Sequence, residues 1–339
     1  MAKEHSKNKI VRRIMKVMGI LLGVIILIFG SLYVANIFTP QPFATMFKSL
    51  NKLNNDVVKL GDYQTDVESI VEHEPIMIPV EGYPDAKITI YDNGDNTLKP
   101  LVYFIHGGGW IIGDAAQLKS YSKLIASRGY TVAALDYSLA PKYEYPTPIY
   151  QAIAGLNYLN ENAQSLGIDN TKIFVGGNSA GAQISAQLGS MITNKSDYEH
   201  EFKSIETIMP NQLKGLLLLN GVYNFDTVGD AGFPGFDMFA WSYTGTKRYQ
   251  KFERIDELSS LKHVNQDFPQ SFISVGDADP LRYQSFDMEN KLKENEISVT
   301  TVYWTDSNYE LNHDYFFDLT QEPSKVMFES LIEFLNTRR

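Results

Sequence analysis

The apolar positions of this chain follow two periods, and the change between them divides it. From residue 76 onward the pattern alternates in short runs. Ile76–Val80 and Ala86–Tyr91 read as strands, and Asp92-Asn93-Gly94-Asp95-Asn96 between them and the next run reads as a hairpin loop. Strand-like runs then alternate with helical ones. Leu101–Ile105, Thr131–Asp136, Lys172–Val175, Leu213–Asn220, Gln270–Gly276 and Val299–Trp304 are the strands. Leu118–Ser127, Ile149–Ala163, Gly181–Ile192 and Ser324–Asn336 carry the helical period. This alternation predicts an α/β fold with a mostly parallel central sheet and helices on both faces. Functional loops of such sheets lie at the carboxyl ends of the strands.

The first seventy-five residues read differently. Val17–Phe38 contains no charge, and its 22 residues would span roughly 33 Å as a helix, enough for a bilayer core. Lys3, Lys7, Lys9, Arg12, Arg13 and Lys16 stand before it against Glu4, a net +5. Basic residues stay on the cytoplasmic side, so a single-pass cell-membrane protein is expected, with its N-terminus inside and its catalytic domain extracellular. The competing reading is a cleaved signal peptide, but a cut after Ala35 puts Tyr33 where a small residue is needed. Gly19 and Gly23 form a G-x-x-x-G spacing that suits a helix pair and hints at a homodimer. Phe43, Met46, Phe47, Leu50, Leu53, Val57 and Leu60 recur at helical spacing, predicting one amphipathic helix beyond the membrane. The expected organisation is therefore a cytoplasmic basic segment (1–16), a transmembrane helix (17–38), a juxtamembrane or cap segment (39–75) and a catalytic domain (76–339). Within that domain, 221–268 breaks the alternation and is rich in aromatics, among them Phe225, Phe233, Phe236, Phe239 and Trp241. A connection this long predicts a cap or lid over an apolar pocket.

Composition narrows the chemistry. The chain has 339 residues and no cysteine, which removes disulfides, thiolate metal sites and a cysteine nucleophile. The net charge of −10 leaves −15 for everything after residue 16, which disfavours nucleic acid as a partner.

Two glycine motifs follow predicted strands. His106-Gly107-Gly108-Gly109-Trp110 follows Leu101–Ile105, and Gly177-Asn178-Ser179-Ala180-Gly181 follows Lys172–Gly176. The second is a G-x-S-x-G nucleophile elbow, which lifts a serine hydroxyl above the sheet. The first is an HGGG loop of the kind that receives an oxyanion. A serine nucleophile needs a base held by a carboxylate, in the chain order Ser, Asp or Glu, His. Only His313 lies beyond the last strand, so it is the expected base. Asp277 and Asp279 both follow Ser271–Val275, and the residues alone leave the acid open between them.

In these motifs, and in Asp136-Tyr-Ser-Leu-Ala-Pro141 and Asp279-Pro-Leu-Arg282, the chain resembles the hormone-sensitive-lipase-like branch of the α/β-hydrolases, carboxylesterases and acetyl esterases. The resemblance runs from about residue 88 to the C-terminus. It implies an α/β-hydrolase fold with a cap and Asp279 as the acid of a Ser179–His313–Asp279 triad. The oxyanion donors are expected to be Ala180 with two among Gly107, Gly108 and Gly109. His106, Trp110 and Asn178 support the motifs. No cofactor or metal is expected, and a small-molecule ester is the expected substrate. The chain departs from the branch at Asn178, where Asp is usual, at Ser138, and at Asp314, where the branch often has Gly after the histidine. Three other functions stay open: deacetylation of a cell-surface glycan, binding without turnover, and a peptidase on the same scaffold.

Overall fold

A computed structural model of the chain describes residues 2–51, 56–95, 97–194, 198, 208–305 and 307–339. It opens with α1 (Ala2–Phe38) and α2 (Gln41–Asn51). Arg13–Phe38 has a mean hydropathy of 2.6 and is unburied, long and apolar enough to cross a membrane. Gly19 and Gly23 face open space on it.

The order of the remaining elements alternates as the sequence predicts. β1 (Val71–Glu72), β2 (Ile76–Val80), β3 (Tyr83–Asp92) and β4 (Lys99–Ile105) come first. Then follow α3 (Lys119–Ala126), β5 (Thr131–Asp136), α4 (Thr147–Glu161), β6 (Ile168–Asn178), α5 (Ala180–Thr193) and β7 (Leu213–Leu219). The cap contains α6 (Phe236–Thr244) and α7 (Ile255–Leu258). β8 (Ser271–Val275), α8 (Arg282–Glu294), β9 (Val299–Tyr303) and α9 (Glu322–Asn336) close the chain. The nine strands form one sheet in the order β1-β3-β5-β4-β6-β7-β8-β9, with β2 also on β3. β5 through β9 in this order are parallel, and β3 runs antiparallel to β5.

Alternation along each strand divides the core between the two faces. Leu101, Tyr103 and Ile105 of β4 pack with Leu216 and Leu218 of β7 on the face covered by α4 and α5. Val102 and Phe104 pack with Leu217 and Leu219 on the face covered by α3 and α9.

Three sequence expectations are corrected. The segment Asp92–Asp95 does not join a hairpin, because β5 lies between β3 and β4 in the sheet, and Asn96 lies outside the described residues; the true hairpin is β2–β3. The predicted Phe43–Leu60 helix ends at Asn51, and Leu53 lies outside the described residues. Beyond it the chain crosses to the other face, where Leu60 and Val57 join α3 and α9, whereas Phe43 and Phe47 pack with the cap. One apolar period thus served two separate cores. The sheet also begins earlier than residue 76, at Val71, paired with β3.

Candidate active site

The loops at the carboxyl ends of β4, β6, β7, β8 and β9 converge. At the end of β6 the chain turns into α5 through Ser179, whose φ is 53°. Serine is rarely held there, and such strain persists only where the surroundings over-determine it. Here the Ser179 amide donates to the Leu219 carbonyl at 2.8 Å. The flanking glycines answer a close approach by β4. A Cβ on Gly177 would sit 2.2 Å from the Ile105 oxygen, and one on Gly181 would sit 2.0 Å from it.

His313 and Asp279 meet across 34 residues of sequence. His313 Nδ1 lies 2.8 Å from Asp279 Oδ2, and Asp279 is fully buried. The same carboxylate accepts the Asn220 side-chain amide at 2.7 Å and the Leu281 backbone amide at 2.8 Å. Asp277 is used elsewhere. It accepts the Leu311 amide at 2.6 Å and the Ser307 hydroxyl at 2.9 Å, bracing the loop that carries the histidine. Ser179 and His313 line one cavity, although no hydrogen bond joins them. Such contacts are often long before substrate binds.

Asn178 ties the two motif loops together. Its Oδ1 accepts the Gly107 amide at 2.9 Å, and its Nδ2 donates to Asp314 Oδ1 at 3.0 Å. The Gly107 amide is therefore occupied, which narrows the expected oxyanion set. The amides of Gly108, Gly109 and Ala180 have no acceptor among the described residues. Gly108 (φ 101°) and Gly109 (φ 57°) adopt the left-handed backbone that frees them from the strand ladder.

The remaining motif residues are packed as supports. His106 stacks on Tyr137 at 4.2 Å, and its Nδ1 lies 2.8 Å from the Gly107 carbonyl. Burial lowers its pKa, so it stays a neutral ring. Trp110 stacks on Tyr243 of the cap at 4.7 Å and donates to Gln183 of α5 at 3.1 Å.

His313 carries the site's electrostatics. Burial opposes a charge on the ring, but the charge of Asp314 and then the hydrogen bond and charge of Asp279 outweigh it, raising its pKa to about 8. Asp314 Oδ2 lies 3.9 Å from Nε2, on the side opposite Asp279. Burial pushes the pKa of Asp314 itself upward.

The shared cavity is about 510 Å³ and mostly apolar, a size and character that suit a small organic ligand. Its wall comes from the cap residues Phe233 and Phe239 and from Phe47 of α2. A second, more polar cavity of about 600 Å³ lies behind Gly108 and reaches neither Ser179 nor His313. Sequence reasoning missed Asn220, which shares the strand-end position of the motifs, and Asp314.

The α/β hydrolase fold family matches residues 102–313, more than half of the chain. The chain belongs to this family, as its motifs implied. An arylesterase of Saccharolobus solfataricus is 33% identical over 157 residues, which cover 45% of this chain and 49% of the arylesterase. The chain thus spans about half the length of that relative. A versiconal hemiacetal acetate esterase of Dothistroma septosporum is 26% identical over 264 residues, covering 75% and 78% of the two chains. The solved structure of esterase LipW from Mycobacterium marinum superposes with a TM-score of 0.71 at 20% identity, covering 89% and 91%. At that identity the likeness is one of fold.

Proposed function

We propose that this chain is a membrane-anchored serine carboxylic-ester hydrolase acting on short- to medium-chain acyl or acetyl esters. One observation carries the reading. Ser179, His313 with Asp279 buried behind it, and the three unpaired amides of Gly108, Gly109 and Ala180 meet at a single apolar cavity. The esterase relatives support it.

In this reading Ser179 Oγ attacks the ester carbonyl while His313 Nε2 takes its proton. Asp279 holds the Nδ1 proton and so fixes the tautomer. The tetrahedral oxyanion is received by the three amides. His313 then gives its proton to the leaving alcohol. Water, deprotonated by the same ring, cleaves the acyl-enzyme and restores Ser179. The narrow aromatic wall of Phe233 and Phe239 favours a small acyl group over a glycan polymer. The intact set of reacting groups disfavours binding without turnover.

The anchor is α1, with its basic end cytoplasmic and the catalytic domain outside. The test is hydrolysis of p-nitrophenyl esters of graded chain length, with fluorophosphonate labelling, by wild type and Ser179→Ala. Rates should peak at short to medium chains, and both activity and labelling should vanish in the variant. Labelling that persists would reject Ser179 as nucleophile. Carbonate extraction and protease added to intact cells test the anchor and its orientation.

A further inference from the structure

The end of the membrane helix meets the wall of the ester cavity. Asn36, in the last turns of α1, accepts the Phe43 amide through Oδ1 at 3.1 Å. Lys247, in the turn after α6, donates to the Ile37 carbonyl. α2 therefore begins where α1 leaves the bilayer, with the cap beside it. On one face of α2, Phe43 and Phe47 pack on Phe239 at 5.2 and 5.3 Å. Phe47 lines the cavity itself. Phe239 presses on the oxyanion loop so closely that a Cβ on Gly109 would sit 2.5 Å from its ring.

Beside this stripe on α2 two apolar side chains stay open, while the side turned away from the cap carries the exposed Gln41, Thr45 and Ser49. Met46 is 49% exposed and Leu50 62%, close in sequence to Phe38 at 78%. Apolar exposure continuous with a membrane helix marks a surface that a bilayer covers. The charges agree. The body is strongly acidic, yet Lys247 sits on the end of α1 and Lys142 stands near Lys48, whose own ammonium is turned inward onto the Ala140 carbonyl. Basic groups at this level suit anionic lipid headgroups. The distances are short. Phe47 lies six residues into α2, roughly 9 Å along its axis.

We propose that the cavity is loaded from the outer face of the membrane through α2, so that the substrate class is an acyl ester of a membrane-resident amphiphile. On α2, Phe47 lines the cavity with Phe43 packed beside it, and the adjoining Met46 and Leu50 hold its mouth at the lipid surface. This inference rests on the anchored-esterase reading above.

The test uses the full chain reconstituted in phosphatidylcholine–phosphatidylglycerol vesicles. One substrate is 4-methylumbelliferyl decanoate dissolved in the vesicles, and the other is p-nitrophenyl acetate in the water phase. The double variant Met46→Glu/Leu50→Glu alters only exposed side chains that do not line the cavity. Its kcat/KM on vesicle-borne decanoate should fall about tenfold, since membrane affinity scales with buried apolar area. Its acetate activity, which reports on folding, should stay within about twofold. Met46→Gln/Leu50→Gln should show the same split more weakly. Equal loss on both substrates in both variants, or loss on neither, overturns the proposal while leaving the anchored esterase standing. Wild type that is released by carbonate, or that hydrolyses neither ester, overturns the proposal together with the reading beneath it.

Discussion

The charge of Asp314 offers the sharpest test of how this site works. Asp314 occupies a left-handed position, φ 59°, and puts Oδ2 3.9 Å from Nε2 of His313. In the proposed mechanism that nitrogen collects the proton of Ser179, which it does only when neutral. With the ring's pKa raised to about 8, kcat/KM should climb with pH and level off above that value. Asp314→Asn keeps the side-chain shape and an oxygen for Asn178 while removing the charge; asparagine also tolerates the left-handed backbone. Two unit charges 3.9 Å apart interact by about 1 kcal/mol in bulk water and about 4 kcal/mol at an effective dielectric of 20. One pH unit corresponds to about 1.4 kcal/mol, so the limits are roughly 0.8 and 3 units. Both side chains are partly exposed, at 20% and 30%, which favours the lower limit. The uncharged ring of Phe233 also packs on His313, with centroids 5.0 Å apart. The midpoint of the kcat/KM profile on p-nitrophenyl acetate should therefore fall by about one unit, toward 7. The variant should outpace wild type near pH 6.5 and differ from it by about twofold or less near pH 9, where both rings are neutral. A midpoint that stays in place or moves upward would refute the assignment of Asp314 as the charge that raises the base.

Asp279→Asn should lower kcat by as much as ~10⁴, the loss known when a triad histidine takes the wrong tautomer. Asp277→Asn should act through the Leu311 and Ser307 contacts instead, loosening the histidine loop with a much smaller loss of kcat; the opposite ranking in steady-state kinetics would exchange their roles. Gly177→Ala would place a methyl 2.2 Å from the Ile105 oxygen, a backbone atom with little room to yield. It should destabilise the chain by roughly 3 kcal/mol, read as a lower thermal midpoint, and a midpoint equal to wild type would show that the elbow has slack.

The parts of this site that were legible in the sequence are those fixed locally. Each glycine motif follows a strand whose apolar run is written in consecutive residues, so its place at a strand end could be read directly. What stayed illegible depends on partners far along the chain. Asp277 and Asp279 share a strand end, and only the path of the 307–313 loop decides which one meets the ring and which one meets the loop backbone. The hairpin expectation at Asp92–Asn96 failed because β5 pairs with both neighbours, a fact of topology that no local turn signal contains. α8 was not recognised because it buries only Gln284, Ser285, Met288 and Leu292, too few apolar residues to give a period.

The two departures at Asn178 and Asp314 show the same limit from the other direction. Read singly, each is an unexplained change from the resembled pattern, which has a carboxylate beside the nucleophile and often a glycine after the histidine. The structure joins them by a hydrogen bond of 3.0 Å across 136 residues. An aspartate at 178 facing Asp314 would set two carboxylates against each other, and one would have to hold a proton. Asparagine avoids this, because it accepts from the Gly107 amide with one atom and donates to Asp314 with the other. The carboxylate of this bridge sits on the histidine loop, 3.9 Å from Nε2. Seen this way the departures are a single exchange. Together Asn178 and Asp314 hold the Gly107 loop and place a charge beside the proposed base.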